Sequence, residues 1–189
     1  MSMTGWIILL LALVIGPVLV SYVVEALRPK PTAPAKLSWE PDIPIGYVDV
    51  NGIKLRYVTV GEGTPLVLLH TLRTQLDIFQ KIIPALSGHF KVYAFDYPGH
   101  GWSDIPNVPL KPDVFFDATS GFLDELDISG AIVAGISIGG TIPLVLAARH
   151  NPKIKKIISI NPYDYAKGLG IKRSSIVARL IFSLAGIPV

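Results

Sequence analysis

One stretch of six residues constrains the fold more than any other part of the chain: Gly135-Ile136-Ser137-Ile138-Gly139-Gly140. An apolar run, 131–134, precedes it and a segment of helical spacing, 141–150, follows it, so the sequence predicts a strand, a sharp turn and a helix. A serine at such a turn must adopt a strained backbone conformation. The glycines two residues before and two residues after Ser137 leave room for it, because they have no Cβ to clash. The turn would raise the serine hydroxyl above the sheet, beside the free N–H groups at the start of the helix.

Short apolar segments alternate with segments of helical spacing between residues 45 and 165. Two segments on either side of Asn51-Gly52, 46–50 and 54–60, predict a hairpin, because this dipeptide favours a tight two-residue turn. Buried strands are predicted at 65–69 and 90–95, further strands at 131–134 and 156–160, and helices at 75–86, 113–126 and 141–150. The alternation predicts an α/β fold with a mostly parallel sheet and helices on both faces.

Ligands of such sheets bind at the carboxyl ends of the strands. The loops that follow the predicted parallel strands are 70–74, 96–103, the turn at Ser137, and 161–165. Helical spacing returns at 174–184, and we interpret residues 166–189 as the start of a cap or lid.

The N-terminal segment 6–24 is almost entirely apolar and carries no charge. As a helix it would extend about 28 Å, close to the hydrocarbon thickness of a bilayer. Trp6 and Tyr22 lie near its ends, where interfacial aromatic residues are common. The sequence therefore predicts a single-pass anchor. A cleaved signal peptide is the main alternative, although residues 1–5 contain no lysine or arginine, and a buried core helix is a third.

The residues after the apolar segment indicate orientation and domain organisation. Arg28, Lys30 and Lys36 follow the segment, and the tendency of positive charge to stay inside would place the rest of the chain in the cytoplasm. Five prolines between residues 28 and 44 favour an extended linker. The predicted organisation is listed by residue range: anchor 1–27, linker 28–44, α/β core 45–165 and cap region 166–189.

Composition narrows the classes of partner. The chain is 50% hydrophobic and only 16% charged, which favours a segment in lipid. Its formal net charge of +3 comes from scattered lysines and arginines, without the basic stripe of a nucleic-acid-binding protein. The absence of cysteine excludes disulfides and thiolate metal sites. We expect no metal, no cofactor and no nucleic-acid partner.

Three features, in the same order along the chain, resemble the α/β-hydrolase superfamily over residues 45–165. His70 follows a predicted strand where the family has the His-Gly of its oxyanion loop, and Thr71 stands in place of that glycine. The segment Asp96-Tyr97-Pro98-Gly99-His100-Gly101-Trp102-Ser103 resembles the D-x-x-G-x-G-x-S loop of the family. The stretch around Ser137 is similar to its G-x-S-x-G nucleophile turn.

The resemblance implies that Ser137 is the nucleophile of an acyl-transfer reaction, since the dehalogenase and epoxide-hydrolase branches carry aspartate there. It also implies an oxyanion hole formed by the backbone N–H groups of Ile138 and Leu72. Asp164, after the last predicted strand, is a candidate for the catalytic acid, and the alternative is a residue of the loop or cap. Arg73 either reaches the pocket, which would favour a substrate with a carboxylate, or faces water.

A serine nucleophile needs a base, normally a histidine oriented by a carboxylate. None of the four histidines is a credible base: His70 and His100 belong to loop motifs, His89 precedes a strand that starts on the far edge, and His150 ends the helix after the serine. In the family the histidine follows the nucleophile, near the end of the domain. We therefore expect a longer hydrolase with its histidine beyond this sequence, and no activity from the 189-residue chain alone.

The most specific functional hypothesis is a membrane-anchored serine hydrolase that cleaves an ester or related acyl bond through an acyl-enzyme on Ser137. Its substrate would be a small acyl compound, and a lipophilic one would suit an enzyme held at membrane lipid. Among enzymes, a perhydrolase or C–C bond hydrolase of the same fold is the alternative. A non-catalytic, membrane-tethered protein for binding or scaffolding is the alternative from another class.

Overall fold

The computed structural model describes residues 2–29, 32, 34, 37 and 43–163. The chain divides into two compact units, one with a long N-terminal helix and one with a β-sheet. The predicted cap region 166–189 and most of the predicted linker lie outside the described residues, so the domain boundaries stay predictions.

The N-terminal helix α1 runs from Met3 to Leu27 and includes the predicted apolar segment. Its first turn is capped by Ser2, whose hydroxyl accepts a hydrogen bond from the N–H of Gly5 at 3.2 Å. None of its residues is buried. By length and composition α1 can cross a membrane, and signal sequences and buried helices of soluble proteins meet the same two criteria.

The described strands of the second unit form one six-stranded sheet in the order β1-β2-β4-β3-β5-β6. Their bounds are β1 Ile45–Val50, β2 Ile53–Val60, β3 Pro65–Leu69, β4 Lys91–Phe95, β5 Ala131–Ile136 and β6 Ile154–Ile160. β4, β3, β5 and β6 are parallel, whereas β1 and β2 form the predicted antiparallel hairpin at one side. The mostly parallel sheet predicted from the sequence is confirmed, and the loops after β3, β4, β5 and β6 share one edge.

The helices are α2 Ile83–Leu86, α3 Pro112–Glu125 and α4 Ile138–Ala148. The predicted helices at 113–126 and 141–150 correspond to α3 and α4. The prediction of one helix over 75–86 is wrong, because that segment contains a 3-10 turn, Leu76–Phe79, followed by the single turn of α2. Pro84 accounts for the break, since its ring removes an N–H and clashes with the preceding turn of a longer helix.

Both faces of the sheet are buried at its central strands, as the alternation of β4 illustrates. Tyr93 and Phe95 face α3, where Phe122 stacks on Phe95 with 4.3 Å between ring centroids. Val92 and Ala94 belong to a buried cluster with the 3-10 turn and α2 on the other face. The members of that cluster are Leu37, Ile43, Val58, Leu66, Leu68, Leu76, Phe79, Ile83, Val92 and Ala94. With both faces covered, the carboxyl edge of the parallel strands is where loops can build a site.

Candidate active site

Ser137 lies at the corner between β5 and α4, as the sequence predicted. Its backbone has φ 57° and ψ −118°, which a residue with a side chain rarely adopts. The residue is half-buried, and no hydrogen bond joins its Oγ to any side chain in the part of the chain that the structure describes. The strained corner expected of a nucleophile turn is therefore present.

The two glycines on either side of Ser137 are required by direct backbone contact. A Cβ on Gly135 would lie 2.1 Å from the carbonyl oxygen of Gly139. A Cβ on Gly139 would lie 2.3 Å from the carbonyl oxygen of Leu69 and 2.7 Å from that of His70. The first turn of α4 thus sits directly against the end of β5 and against the end of β3.

Backbone hydrogen bonds hold the strained residue in place. The N–H of Ser137 donates to the carbonyl of Ile160 at the end of β6, at 3.0 Å. The carbonyl of Ser137 accepts from the N–H groups of Gly140 at 3.0 Å, Thr141 at 3.1 Å and Tyr163 at 3.2 Å. Four contacts of this kind offset the cost of the unusual conformation, roughly 1–3 kcal/mol.

Ile138 is the first residue of α4, and its side chain is buried. The first N–H groups of a helix have no acceptor within the helix, and the helix dipole adds a partial positive charge there. The N–H of Ile138 is therefore available beside Ser137 for an oxygen that gains negative charge.

Leu72 lies in the loop after β3, with a side chain that is half exposed. The loop is held by the carbonyl of Thr71, which lies 2.8 Å from Nδ1 of His70 and accepts from the hydroxyl of Thr74 at 2.8 Å. Arg73 completes the turn with φ 60°. The contacts at Gly139 place the end of β3, and hence this loop, next to the serine corner.

His70 is fully buried and connects the loops after β3 and β4. Its Nε2 accepts a hydrogen bond from the N–H of Tyr97 at 3.1 Å, so the ring proton is on Nδ1, which donates to Thr71. Burial lowers the pKa of His70 to about 3, and the charges of His100 and Arg56 act in the same direction. A neutral ring locked into two hydrogen bonds is a structural group rather than a base, which agrees with the sequence analysis.

The other three histidines form no hydrogen bond with Ser137 in the described part of the chain either. His100 is half-buried, its ring centroid lies 5.5 Å from that of His70, and its Nδ1 is 3.1 Å from the carbonyl of Pro98. His89 is exposed before β4, at the opposite edge of the sheet, and His150 is exposed after α4. Among the described residues, none is placed to accept the proton of Ser137.

Sequence reasoning missed a buried ionic cluster beside these loops. Arg56 of β2 is 1% exposed; its Nε lies 2.8 Å from Oδ2 of Asp96, and a terminal nitrogen pairs with Asp77. Asp96 also accepts from the N–H groups of Leu76 at 2.7 Å and Trp102 at 2.9 Å. Burial raises the pKa of the Asp96 carboxyl, whereas these two N–H groups and Arg56 oppose the rise. The available signal was a second charged residue, Arg56, in the middle of a predicted strand.

A cleft of about 450 Å³ opens between the loops after β3 and β4. Its lining residues are Arg73, Thr74, Gln75, Gly99, His100 and Gly101. Arg73 is exposed and lines this cleft, which Ser137 does not line, so both alternatives for the arginine stay predictions. It is the cationic lining residue next to Leu72.

The structure thus brings Ser137 and Ile138 together and places the loop of Leu72 beside them. Asp164, the predicted acid candidate, lies outside the described residues. Its neighbour Tyr163 donates its N–H to the carbonyl of Ser137. No group of three or more histidine, aspartate or glutamate side chains converges as metal ligands would, within the described part of the chain.

The parallel strand ends and the serine corner define the class of fold, an α/β sheet with a nucleophile turn. The sequence model of the α/β hydrolase fold matches residues 64–180, more than half of the chain. The chain belongs to the α/β hydrolase family.

Individual relatives share parts of the chain. It is 35% identical over 113 residues to a protein of Mycobacterium phage D29 named as a non-heme haloperoxidase, covering 59% of this chain and 40% of the relative. It is 32% identical over 111 residues to 2-hydroxymuconate semialdehyde hydrolase of Pseudomonas sp. (strain CF600), covering 57% of this chain and 39% of that enzyme. The chain therefore spans about two fifths of the length of these curated relatives.

Among solved structures, the enol-lactonase from Burkholderia xenovorans LB400 is similar, with a TM-score of 0.59 and 29% sequence identity. The superposition covers 74% of this chain and 58% of the enol-lactonase.

Proposed function

We propose that the whole protein is a serine hydrolase that cleaves an ester or related acyl bond, with Ser137 as its nucleophile. The observation that carries the proposal is the corner itself. Ser137 has a left-handed backbone between two glycines that admit no side chain, at the edge where the parallel strands end. The N–H of Ile138, the first residue of α4, lies beside it. Strain of this kind is retained where it serves a function.

In the proposed reaction, Oγ of Ser137 attacks the carbonyl carbon of the substrate and passes its proton to a base. The carbonyl oxygen becomes an oxyanion, stabilised by the N–H groups of Ile138 and Leu72. The intermediate collapses, the base returns the proton to the leaving alcohol or thiol, and Ser137 keeps the acyl group. Water, deprotonated by the same base, then hydrolyses the acyl-enzyme and regenerates the serine.

The base of this proposal is a histidine from outside the described residues. The greater length of the curated relatives supports this part of the proposal, because it leaves room for further strands and loops. Asp164 stays the candidate for the carboxylate that would orient the histidine. The similarity to an enol-lactonase favours an ester-type bond.

Two relatives favour a second enzymatic candidate. A C–C bond hydrolase is supported by the similarity to 2-hydroxymuconate semialdehyde hydrolase, and a perhydrolase by the similarity to the haloperoxidase. Assays with an ester, a meta-cleavage-type dienoate and hydrogen peroxide plus acetate separate these activities. Absence of all three from the full-length protein would favour the non-catalytic alternative.

We further propose that α1 anchors the protein in a membrane, with the sheet domain on the cytoplasmic side. Support comes from 25 helical residues that are long and apolar enough to span the bilayer. Carbonate extraction of membranes tests the anchor, since a spanning helix stays in the pellet. Release of the protein into the soluble fraction, or removal of the first residues from the mature protein, would contradict it.

A fluorophosphonate probe tests the nucleophile on the full-length, detergent-solubilised protein. We expect covalent labelling of the wild-type protein and its loss, by at least about 10³-fold, in Ser137→Ala. The matched control is Ser129→Ala, because Ser129 is an exposed serine before β5, away from the corner. Equal labelling of wild type and Ser137→Ala would contradict the proposal.

A further inference from the structure

We propose that His70 and Thr74 are positioning residues that turn the backbone N–H of Leu72 toward Ser137 and so complete the oxyanion hole. The inference rests on the proposed hydrolase function. It assigns a role to two side chains that would act on the peptide unit between Thr71 and Leu72 rather than on the reacting atoms.

The first step is the fixed orientation of one carbonyl. The oxygen of Thr71 accepts two hydrogen bonds, from Nδ1 of His70 at 2.8 Å and from the hydroxyl of Thr74 at 2.8 Å. The Thr74 hydroxyl also lies 3.3 Å from the same Nδ1. Nε2 of His70 accepts a hydrogen bond from the N–H of Tyr97. In the neutral ring the proton is therefore on Nδ1, which makes Nδ1 the donor.

The second step follows from the geometry of the peptide unit. The carbonyl of Thr71 and the N–H of Leu72 belong to the same planar peptide, and in a trans peptide they point in opposite directions. Whatever fixes the carbonyl therefore fixes the N–H. The two hydrogen bonds to Thr71 orient the Leu72 donor before any substrate arrives.

The third step is the direction of that N–H. In the sheet β3 lies between β4 and β5. The ring of His70 is bonded to Tyr97, directly after β4, so the carbonyl of Thr71 is turned toward the β4 side. The N–H of Leu72 is consequently turned toward the β5 side, where Ser137 follows β5 and where Gly139 contacts the end of β3.

Threonine at position 71 restricts the backbone angles that this loop can adopt. Glycine lets a loop adopt conformations close to a ligand that residues with a Cβ reach only at a cost. Here the strained φ of 60° falls on Arg73 instead, and the hydroxyl of Thr74 closes the turn by bonding back to Thr71. Thr71 itself keeps a negative φ, and the two side chains fix the direction of its carbonyl.

The test compares labelling kinetics of full-length variants with a fluorophosphonate, whose phosphoryl oxygen occupies the oxyanion hole. Thr74→Val removes the hydroxyl at nearly constant volume, and Thr74→Ser keeps it. We expect Thr74→Val to lower the maximal labelling rate at least about tenfold, short of the 10²–10³-fold for a lost donor. The half-saturating probe concentration should stay unchanged, and Thr74→Ser should label within about twofold of wild type.

Thr64→Val is the matched control, because it makes the same substitution at an exposed threonine before β3, at the opposite edge of the sheet. It should label at the wild-type rate. Thr74→Ala, which removes the hydroxyl without putting a methyl group in its place, serves if Thr74→Val fails to fold, and the same slowing is expected.

Three results would overturn the inference. Thr74→Val or Thr74→Ala could label at the wild-type rate while Ser137→Ala does not label. This result would remove the positioning role and leave the proposed function intact. Equal slowing of Thr74→Ser and Thr74→Val would also remove it, since the hydroxyl would then not be the responsible group. Labelling that persists in Ser137→Ala would overturn both the function and this inference.

Discussion

The loops after β5 and β3 each contain a residue with positive φ, and the two loops hold that residue by opposite means. Ser137 has φ 57° and Arg73 has φ 60°, and each lies in a loop at the carboxyl edge of the sheet. The corner at Ser137 depends on the absence of side chains, because Gly135 and Gly139 lie against backbone atoms closer than any Cβ could. The loop at Arg73 depends on their presence, since His70 and Thr74 supply the hydrogen bonds that fix it.

This difference predicts how each loop responds to change. A corner built from backbone contacts is insensitive to pH and intolerant of any added atom. A loop held by polar side chains should tolerate a change in side-chain volume. It should respond to the loss of one hydrogen-bonding group and to protonation of the histidine. The predictions below test the contrast, beginning with the largest effect.

The largest loss of stability is expected at the buried ion pair that anchors the far end of the β3 loop. Asp96 accepts the N–H of Leu76, directly after that loop, and Arg56 compensates its charge. Arg56→Met should cost about 3–5 kcal/mol in the free energy of unfolding, because it leaves a carboxylate buried without its partner. Chemical denaturation at pH 7 measures the loss.

The same variant has a pH signature. Removal of Arg56 takes away an interaction that lowers the pKa of Asp96, so burial raises that pKa further. A group whose pKa is higher in the folded state loses stability as the pH rises through it. The deficit of Arg56→Met should therefore be larger at pH 8 than at pH 5. Arg149→Met, at an exposed pair with Asp113, should change little at either pH, and equal deficits for the two variants would contradict the account.

The serine corner is tested by one added methyl group. Gly139→Ala places a Cβ 2.3 Å from the carbonyl oxygen of Leu69, so α4 must move away from β3. We expect a loss of about 1–3 kcal/mol in stability. A displacement near 1 Å at the site should slow fluorophosphonate labelling about 10²-fold. Thermal unfolding and labelling rates measure the two effects.

Gly88→Ala is the control for the corner, because a Cβ there would lie 3.7 Å from the nearest atom, in ordinary contact. It should keep both stability and labelling. Labelling of Gly139→Ala at the wild-type rate would contradict the proposed difference between the two loops, because the serine corner would then tolerate a side chain.

The pH dependence of stability tests the β3 loop. The pKa of His70 in the folded protein is about 3, below its ordinary value of 6.5. The unfolded chain therefore binds a proton between these values that the folded protein excludes. The contribution of His70 is complete above pH 6.5 and falls as the pH drops toward 3, by at most about 1.4 kcal/mol per pH unit.

His70→Asn should flatten the dependence of the unfolding midpoint on pH between 6.5 and 4, because asparagine does not titrate. His89 is an exposed histidine and serves as the control. The His89→Asn variant should keep the wild-type slope. If the unfolding midpoint of His70→Asn depends on pH as steeply as that of the wild type, another group causes the acid sensitivity.

The comparison also explains which parts of the site were predictable. The corner at Ser137 follows from the sequence, because the strain and the glycines that permit it lie within five residues. The β3 loop does not, since its conformation depends on contacts of His70 with Tyr97, a residue 27 positions away. The Arg56–Asp96 pair is equally non-local. Pro84 was a local sign against the helix that was wrongly predicted over 75–86. The prediction followed the helical spacing of the apolar residues instead.

The smallest effect is expected at Arg73, whose guanidinium lines the cleft beside the β3 loop. If the cleft receives the acid part of a substrate, Arg73→Gln should raise the KM for a nitrophenyl ester with a free carboxylate by up to about fivefold, the range of an exposed ion pair. The KM for a neutral ester of the same length should stay constant, and Arg73→Lys should restore part of the difference. The kcat values should not change, because Arg73 would contact the acid part of the substrate and not its reacting atoms. Equal changes with both esters would show that Arg73 acts through the shape of the loop, and would extend the dependence on side chains to the strained residue itself.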